Sequence, residues 1–347
     1  MSKWQSLAMR LTMRGVIWPL AALAALLLFN LGFTEGFFNL EIKDGHVYGS
    51  LIDIFDRATP VILVSIGMTL VIGTAGIDLS VGAVMAIAGA VAAGLIARPE
   101  YSVLSGLDIG DSFAAAMVIA LAAALAAGAG NGALVTAFGV QPIVATLVLM
   151  VAGRGIAQLL TNGQIITFRH PSFEYVGNGF FLGIPVPIGV AVAALLLVGA
   201  AVRLTALGLF IEAVGGNPSA SRHCGVRSSA VKLSAYMICG VLAGVAGVIA
   251  AADIQAADAN NCGLYVELDA ILAVVLGGTA LTGGRFSLIG SVIGAVLIQS
   301  VTTTILSRGV PVEYTLIVKA AIVIAVCLLQ AEAFRGMVRR GWRRQGK

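Results

Sequence analysis

Apolar residues in this chain neither alternate nor form a one-sided helical stripe. They run on for about 20 positions at a time, the length of α-helix that crosses a hydrocarbon core roughly 30 Å thick, and short polar clusters separate the runs. About ten such runs occur, near 15–34, 58–76, 80–97, 113–137, 142–161, 184–202, 231–252, 268–284, 286–307 and 314–331. A spanning helix satisfies its own backbone groups, so the pattern predicts an all-α, polytopic transmembrane helical bundle. Gly277-Gly278 and Gly283-Gly284 interrupt the eighth run, and only Gly76-Ile77-Asp78-Leu79 separates the second from the third. Broken or re-entrant helices are therefore expected, and the count falls to eight if one pair is re-entrant. No polar stretch is long enough for a further domain, so 1–347 reads as a single transmembrane domain.

Composition agrees. Hydrophobic residues make up 59% and charged residues 11% of the 347, against roughly 25% charged in a soluble domain. Mean hydropathy is +0.99. Low charge and high apolar content exclude a disordered chain. The 43 glycines suit closely packed membrane helices. The net charge of +4 sits in segments that flank the membrane, so it signals no nucleic-acid partner.

Charge also predicts orientation. Lys3, Arg10 and Arg14 precede the first run. Arg203, Arg222, Arg227 and Lys232 stand against Glu212 in a central loop, and a basic tail at 335–347 carries Arg335, Arg339, Arg340, Arg343, Arg344 and Lys347. The positive-inside rule puts these three regions in the cytoplasm, with both termini inside. The opposite loops are acidic: 35–57 carries Glu35, Glu41, Asp44, Asp53 and Asp56 against Lys43 and Arg57, and 253–269 carries Asp253, Asp258, Glu267 and Asp269 with no Lys or Arg. The first run follows basic residues, as in a signal peptide, but it is long enough to span and no Ala-x-Ala closes it, so a retained first helix is expected.

The chemistry the chain lacks narrows its function. There is no Gly-x-x-x-x-Gly-Lys-[Ser/Thr], hence no phosphate-binding loop for ATP, and no Gly-x-Ser-x-Gly or His-Glu-x-x-His. Cys224, Cys239, Cys262 and Cys327 show no metal or disulfide spacing, and His46, His170 and His223 read as solvated loop residues. Neither an enzyme, a metal site nor a cofactor is expected. Irregular backbone at membrane depth is tolerated where it lines a cavity, and intramembrane polar groups are costly. Candidate pathway residues are therefore Asp78, Asn131, Gln141, Arg154, Gln158, Thr279, Thr282 and Gln299. The glycine-rich stretch 128–132 can either pack helices or line a path. Gly240-x-x-x-Gly244 and Gly290-x-x-x-Gly294 read as packing motifs, and Lys319 as a side chain that reaches to the outer interface. No chain of intramembrane acids or histidines suits a proton relay.

Three segments carry a resemblance. The first is Gly76-Ile77-Asp78-Leu79-Ser80-Val81-Gly82. The second is Gly208 with Glu212-Ala213-Val214-Gly215-Gly216-Asn217, Ala220 and Gly225-Val226. The third is Glu267-Leu268-Asp269-Ala270-Ile271-Leu272-Ala273-Val274-Val275-Leu276-Gly277-Gly278-Thr279, continuing into Leu281-Thr282-Gly283-Gly284-Arg285. Together, and in this order, they resemble the ribose-type sugar permeases of binding-protein-dependent ABC importers, across nearly the whole chain. The stretch from Gln141 to Gln158 is similar to the galactofuranose permeases of enteric bacteria within that family. The outer loop 35–57 and Asn260-Asn261-Cys262 differ from the ribose type.

The resemblance implies a permease subunit of the bacterial inner (plasma) membrane that moves a neutral monosaccharide, galactofuranose in the first instance, by alternating access. It implies as partners an ATP-binding subunit, a periplasmic sugar-binding protein and a second permease, identical or paralogous, with lipid around them. It makes 203–230 a cytoplasmic coupling loop in which Glu212, Ala213, Gly215, Gly216, Asn217, Ala220, Arg222 and Gly225 meet the ATPase. The expected form of that loop is a short surface helix ended by Gly215-Gly216-Asn217-Pro218, then a second turn from Ser219 to Cys224. Two alternatives stand beside it: a sodium-coupled secondary transporter, and a membrane scaffold that transports nothing.

Overall fold

The computed structural model describes residues 3–34, 36–43, 45–98, 102–104, 106, 112–309 and 311–330. The basic tail 335–347 lies outside the described residues. The chain is helical almost throughout. Helix α1 (Lys3–Phe33) leads into α2 (Ser50–Gly73), α3 (Val81–Ala97), α4 (Phe113–Thr136) and α5 (Pro142–Leu160). A short α6 (Pro171–Asn178) precedes α7 (Val186–Leu204). Two small helices, α8 (Leu207–Gly216) and α9 (Pro218–His223), lead to α10 (Ser228–Asp253). The half-length α11 (Val266–Leu276), then α12 (Leu288–Ser307) and α13 (Val312–Gln330), complete the order.

Among the described residues, six helices are long and apolar enough to cross a membrane: α2, α4, α5, α7, α10 and α12. The count of about ten is not reproduced by length alone. Helix α3 has 17 residues, about 26 Å at 1.5 Å per residue, and nearly all of it is enclosed by other helices. It need not span lipid by itself. Helix α11 has 11 residues, about half a bilayer. It stops at Leu276, and Gly278, with φ of +88°, turns the chain into non-helical backbone that continues to Ser287. The eighth run is thus a broken element, as its glycines predict.

The interior is built by α2, α3 and α10, with α4 and α12 packed on them. Apolar side chains gain little by leaving lipid for protein, so close backbone approach does much of the holding. Gly128 and Gly240 face each other: a Cβ on Gly128 would lie 3.2 Å from the Gly240 Cα. Helix α4 runs unbroken through 128–132, so this stretch packs rather than breaks. The 290–294 motif rests on the Gly277 and Ala273 carbonyls of the broken element.

Among the described residues, three two-stranded antiparallel ribbons join the loops at the end opposite α8. Strands β1 (Glu41–Lys43) and β2 (His46–Tyr48) form one. Strand β3 (Ile166–Thr167) pairs with β6 (Ala256–Ala257), and β4 (Phe180–Phe181) with β5 (Ile184–Pro185). They tie the long loops into a cap. His46 stacks on Phe180 with ring centroids 4.2 Å apart, and His170 caps α6, its Nδ1 accepting from the Ser172 N–H at 3.2 Å. These two histidines are packed structural groups rather than solvated ones.

Candidate functional site

The turn between α2 and α3 gathers two of the pathway candidates. Asp78 and Asn131 are each only 1% exposed. The Ser80 N–H and hydroxyl donate to Asp78 Oδ1 at 3.0 and 2.7 Å. The Asn131 amide donates to Ser80 Oγ at 2.8 Å and lies 3.4 Å from the same carboxyl oxygen. Tyr236 and Thr146 each donate to the Ile77 carbonyl at 3.3 Å. Helices α4, α5 and α10 are thereby pinned to one non-helical turn. The physical role of this cluster is to satisfy a backbone break inside the protein.

At the capped end, Arg154 of α5 donates through Nη1 to the Ala259 and Cys262 carbonyls at 3.1 and 2.5 Å. Hydrogen bonds from a charged donor contribute about 1.5–3 kcal/mol, enough to hold the loop 258–263 on the helix. Gln158, one turn on, donates to Asn260 Oδ1 at 2.7 Å. Asp258 closes the loop on itself; the Asn261 amide donates to it at 2.7 Å and holds its carboxyl below the usual range. A cavity of about 360 Å³ opens beside this loop, with Asp56, Arg57, Asp253, Asp258 and Asn261 among its lining residues. Lys319 pairs with Asp269 of α11 at 2.9 Å and ties the half-helix to α13.

The opposite end carries the loop 203–230. It folds as α8 and α9, the two pieces the sequence predicts. Asn217 separates them, and its side-chain oxygen accepts from the Ser219 and Ala220 N–H groups, both at 3.0 Å. Gly225, with φ of +83°, reverses the chain after α9. Ala213, Gly216, Asn217, Ala220, Arg222 and Gly225 are exposed, and together they present a surface. Desolvation pushes the Glu212 carboxyl above its ordinary value, while the nearby Arg285 guanidinium pulls it back.

Gly215 is different: it is buried and meets the two breaks at once. A Cβ there would overlap both the Gly73 carbonyl at the end of α2 and the Gly284 N–H. These two groups are themselves bonded, Gly284 N donating to Gly73 O at 3.0 Å. Gly283 in turn abuts Ala75. The exposed helix pair, the end of α2 and the 277–287 segment are thus one contact. The structure places the need for glycine at Gly215, since a Cβ on Gly216 meets nothing within 4 Å.

The remaining candidates scatter. Thr279 is buried and accepts from the Ser287 N–H at 3.2 Å, closing the broken segment onto α12, while Thr282 is exposed in the same segment. Gln141 is exposed at the start of α5, and Gln299 lies within α12, 3.5 Å from Thr303. Tyr236 and Phe286 escape sequence reading because an ordinary aromatic residue gives no sign that its hydroxyl or ring bridges two elements.

Comparison with known proteins supplies the class. The chain is 47% identical to the galactofuranose transporter permease YtfT of Escherichia coli (strain K12), over 93% of each chain. It is 40% identical to the fructose import permease FruF of Bifidobacterium longum (strain NCC 2705), over 93% of this chain and 89% of the relative. Identity to the ribose import permease RbsC of Escherichia coli (strain K12) is 37%, over 81% of this chain and 85% of the relative. No solved structure matches the chain significantly. Residues 50–327 match the family model described as branched-chain amino acid transport system / permease component. With its bundle of membrane-crossing helices and its exposed helix pair seated on two helix breaks, the chain belongs to this family of membrane permease components.

Proposed function

We propose that the chain is the permease subunit of an ATP-driven importer that moves a neutral monosaccharide, galactofuranose, by alternating access. A separate subunit hydrolyses the ATP, and a soluble binding protein delivers the sugar. The observation that carries the reading is the contact of α8 with the end of α2 and with 283–284. A push on an exposed surface helix reaches, through one buried glycine, the two places where membrane helices are discontinuous. That is the mechanical connection an external ATPase requires, and neither a scaffold nor a sodium-coupled carrier has a use for it.

The path itself is assigned to α5. Among its residues only Ala145, Thr146, Gly153 and Ala157 are buried. Its open side carries Gln141 and Gln158, with Arg154 half-buried. Polar groups turned towards lipid are expensive, so a second permease across a water-filled path is the better neighbour for this face. Along it the one fixed charge, Arg154, is already engaged by two carbonyls. An amino-acid zwitterion calls for a pair of opposed charges, whereas a neutral sugar calls for amides and hydroxyls. The sugar reading also agrees with the names of the relatives at 37–47% identity.

The test is uptake by the importer reconstituted with its ATPase and binding protein, offered galactofuranose, galactopyranose, ribose, fructose and leucine. Uptake of galactofuranose above all others, only with both partners, is expected. Uptake of leucine above any sugar overturns the substrate class, and uptake without ATP overturns the mechanism.

The loop 203–230 and both termini are assigned to the cytoplasm and the ribbon cap to the periplasm, on the charge asymmetry of the loops. A chain whose only cysteine replaces Leu182, which is 87% exposed, should react with an impermeant thiol reagent in intact cells. A chain retaining only Cys224, which is exposed in the coupling loop, should react only after permeabilisation. The reverse pattern inverts the orientation.

A further inference from the structure

A groove beside the coupling contact has the chemistry of a lipid site. Helix α7 is the least covered of the six long apolar helices, with only Pro187 and Ala191 buried. Between its last two turns and the first turn of α12 lies a cavity of about 460 Å³. Leu195, Leu196, Gly199, Phe286, Leu288 and Ile289 line it, and Arg203 is its one charged lining residue. Gly199 opens onto free space: a Cβ there meets no atom within 4 Å. Arg203 has no carboxylate at ion-pair distance among the described residues. A second exposed guanidinium, Arg285, immediately precedes Phe286 of the wall.

We propose that this groove binds the acyl chain of an anionic phospholipid, with the phosphate on the Arg203 guanidinium. The apolar walls select hydrocarbon, and the unpaired cation at the helix end selects the headgroup. A zwitterionic lipid carries its own ammonium close to the phosphate and gains less from an arginine. A guanidinium also binds phosphate oxygens in a two-pronged geometry that an ammonium cannot reproduce.

The site has a consequence for coupling. Phe286 forms part of the groove wall, and its ring also packs at the end of α2, where a Cβ on Gly73 would meet it at 3.1 Å and meet Ile211 of α8 at 2.8 Å. A chain lying in the groove therefore holds Phe286 against the contact through which α8 acts. The lipid is a structural ligand of the coupling contact rather than bulk solvent. The inference rests on the proposed function only for this consequence; lipid binding itself requires neither sugar nor ATP.

The experiment is photo-crosslinking of the whole importer in nanodiscs of phosphatidylcholine. These are doped with equal fractions of a phosphatidylglycerol or a phosphatidylcholine bearing a diazirine on one acyl chain, and the labelled peptides are mapped by mass spectrometry. One arginine near the surface favours an anionic lipid by about 1 kcal/mol, or about fivefold. The phosphatidylglycerol probe should therefore label 195–204 and 286–289 about fivefold more than the phosphatidylcholine probe. Arg203→Gln should remove that preference. Gly199→Phe, whose ring occupies the groove, should remove labelling by both probes there while sparing the separate apolar groove that Leu125 of α4, Val190 of α7 and Val241 of α10 line. Equal labelling by the two probes, or a preference that survives Arg203→Gln, overturns the headgroup assignment. Absence of lipid labelling, with these peptides instead cross-linked to a protein subunit, shows that a partner covers the groove and overturns the proposal.

Discussion

Gly215→Ala should lower sugar uptake by at least about tenfold while Gly216→Ala leaves it near the wild-type rate. The two glycines are neighbours in sequence and in one helix, yet only one is filled in. A methyl on Gly215 runs into the Gly73 carbonyl and the Gly284 N–H, both backbone groups that cannot rotate away. Forcing such a contact costs about 1–3 kcal/mol in shifted backbone. The shift separates α8 from the end of α2, the contact that would carry the ATPase stroke. Uptake and binding-protein-stimulated ATP hydrolysis should fall together, with basal hydrolysis and the amount of protein in the membrane retained. If Gly215→Ala transports normally at wild-type levels, the coupling contact lies elsewhere on the loop. If Gly216→Ala fails as badly, the exposed surface and not the buried glycine carries the coupling.

Asp78→Ala should produce the largest loss of stability of any single change at the α2–α3 turn, about 3 kcal/mol or more. The carboxyl oxygen accepts from two donors of Ser80 and has the Asn131 amide close by, all out of reach of water. Removing it strands buried donors at about 1–3 kcal/mol each. Asp78→Asn keeps an oxygen at that position and should lose much less. The measurement is the thermal midpoint of the purified complex in detergent, with uptake in vesicles alongside. An Asp78→Ala protein that melts with the wild type refutes the structural role. An Asp78→Asn protein that is equally stable but does not transport assigns the carboxyl to the sugar path instead.

Much of this molecule was legible in one dimension. Long uncharged runs announce membrane helices because lipid leaves a backbone no other partner than itself. The glycines at 277–278 announced a broken helix, and Asn217-Pro218 announced the boundary between α8 and α9, since an asparagine cap and a following proline start a helix by local chemistry alone. These are short-range effects, so the sequence is sufficient for them. The number of crossings was less legible. Helix α3 reads as a span by composition, but it is enclosed by protein, and hydropathy cannot tell a lipid neighbour from an apolar side chain.

Tertiary structure decided the rest. Asp78 and Asn131 are 53 positions apart in sequence and share one hydrogen-bond cluster. Arg154 finds its partners in a loop more than a hundred residues away, and Lys319 finds Asp269. A polar residue inside a membrane protein must be satisfied by whatever the fold brings beside it, and sequence alone does not name that neighbour. The same holds for the glycines. Gly215 and Gly216 are the same residue type in the same helix, and only the approach of Gly73 and Gly284 fills the space at one and leaves it free at the other. Residue type set what each position was able to do, and packing over long sequence distances selected which of those positions do it.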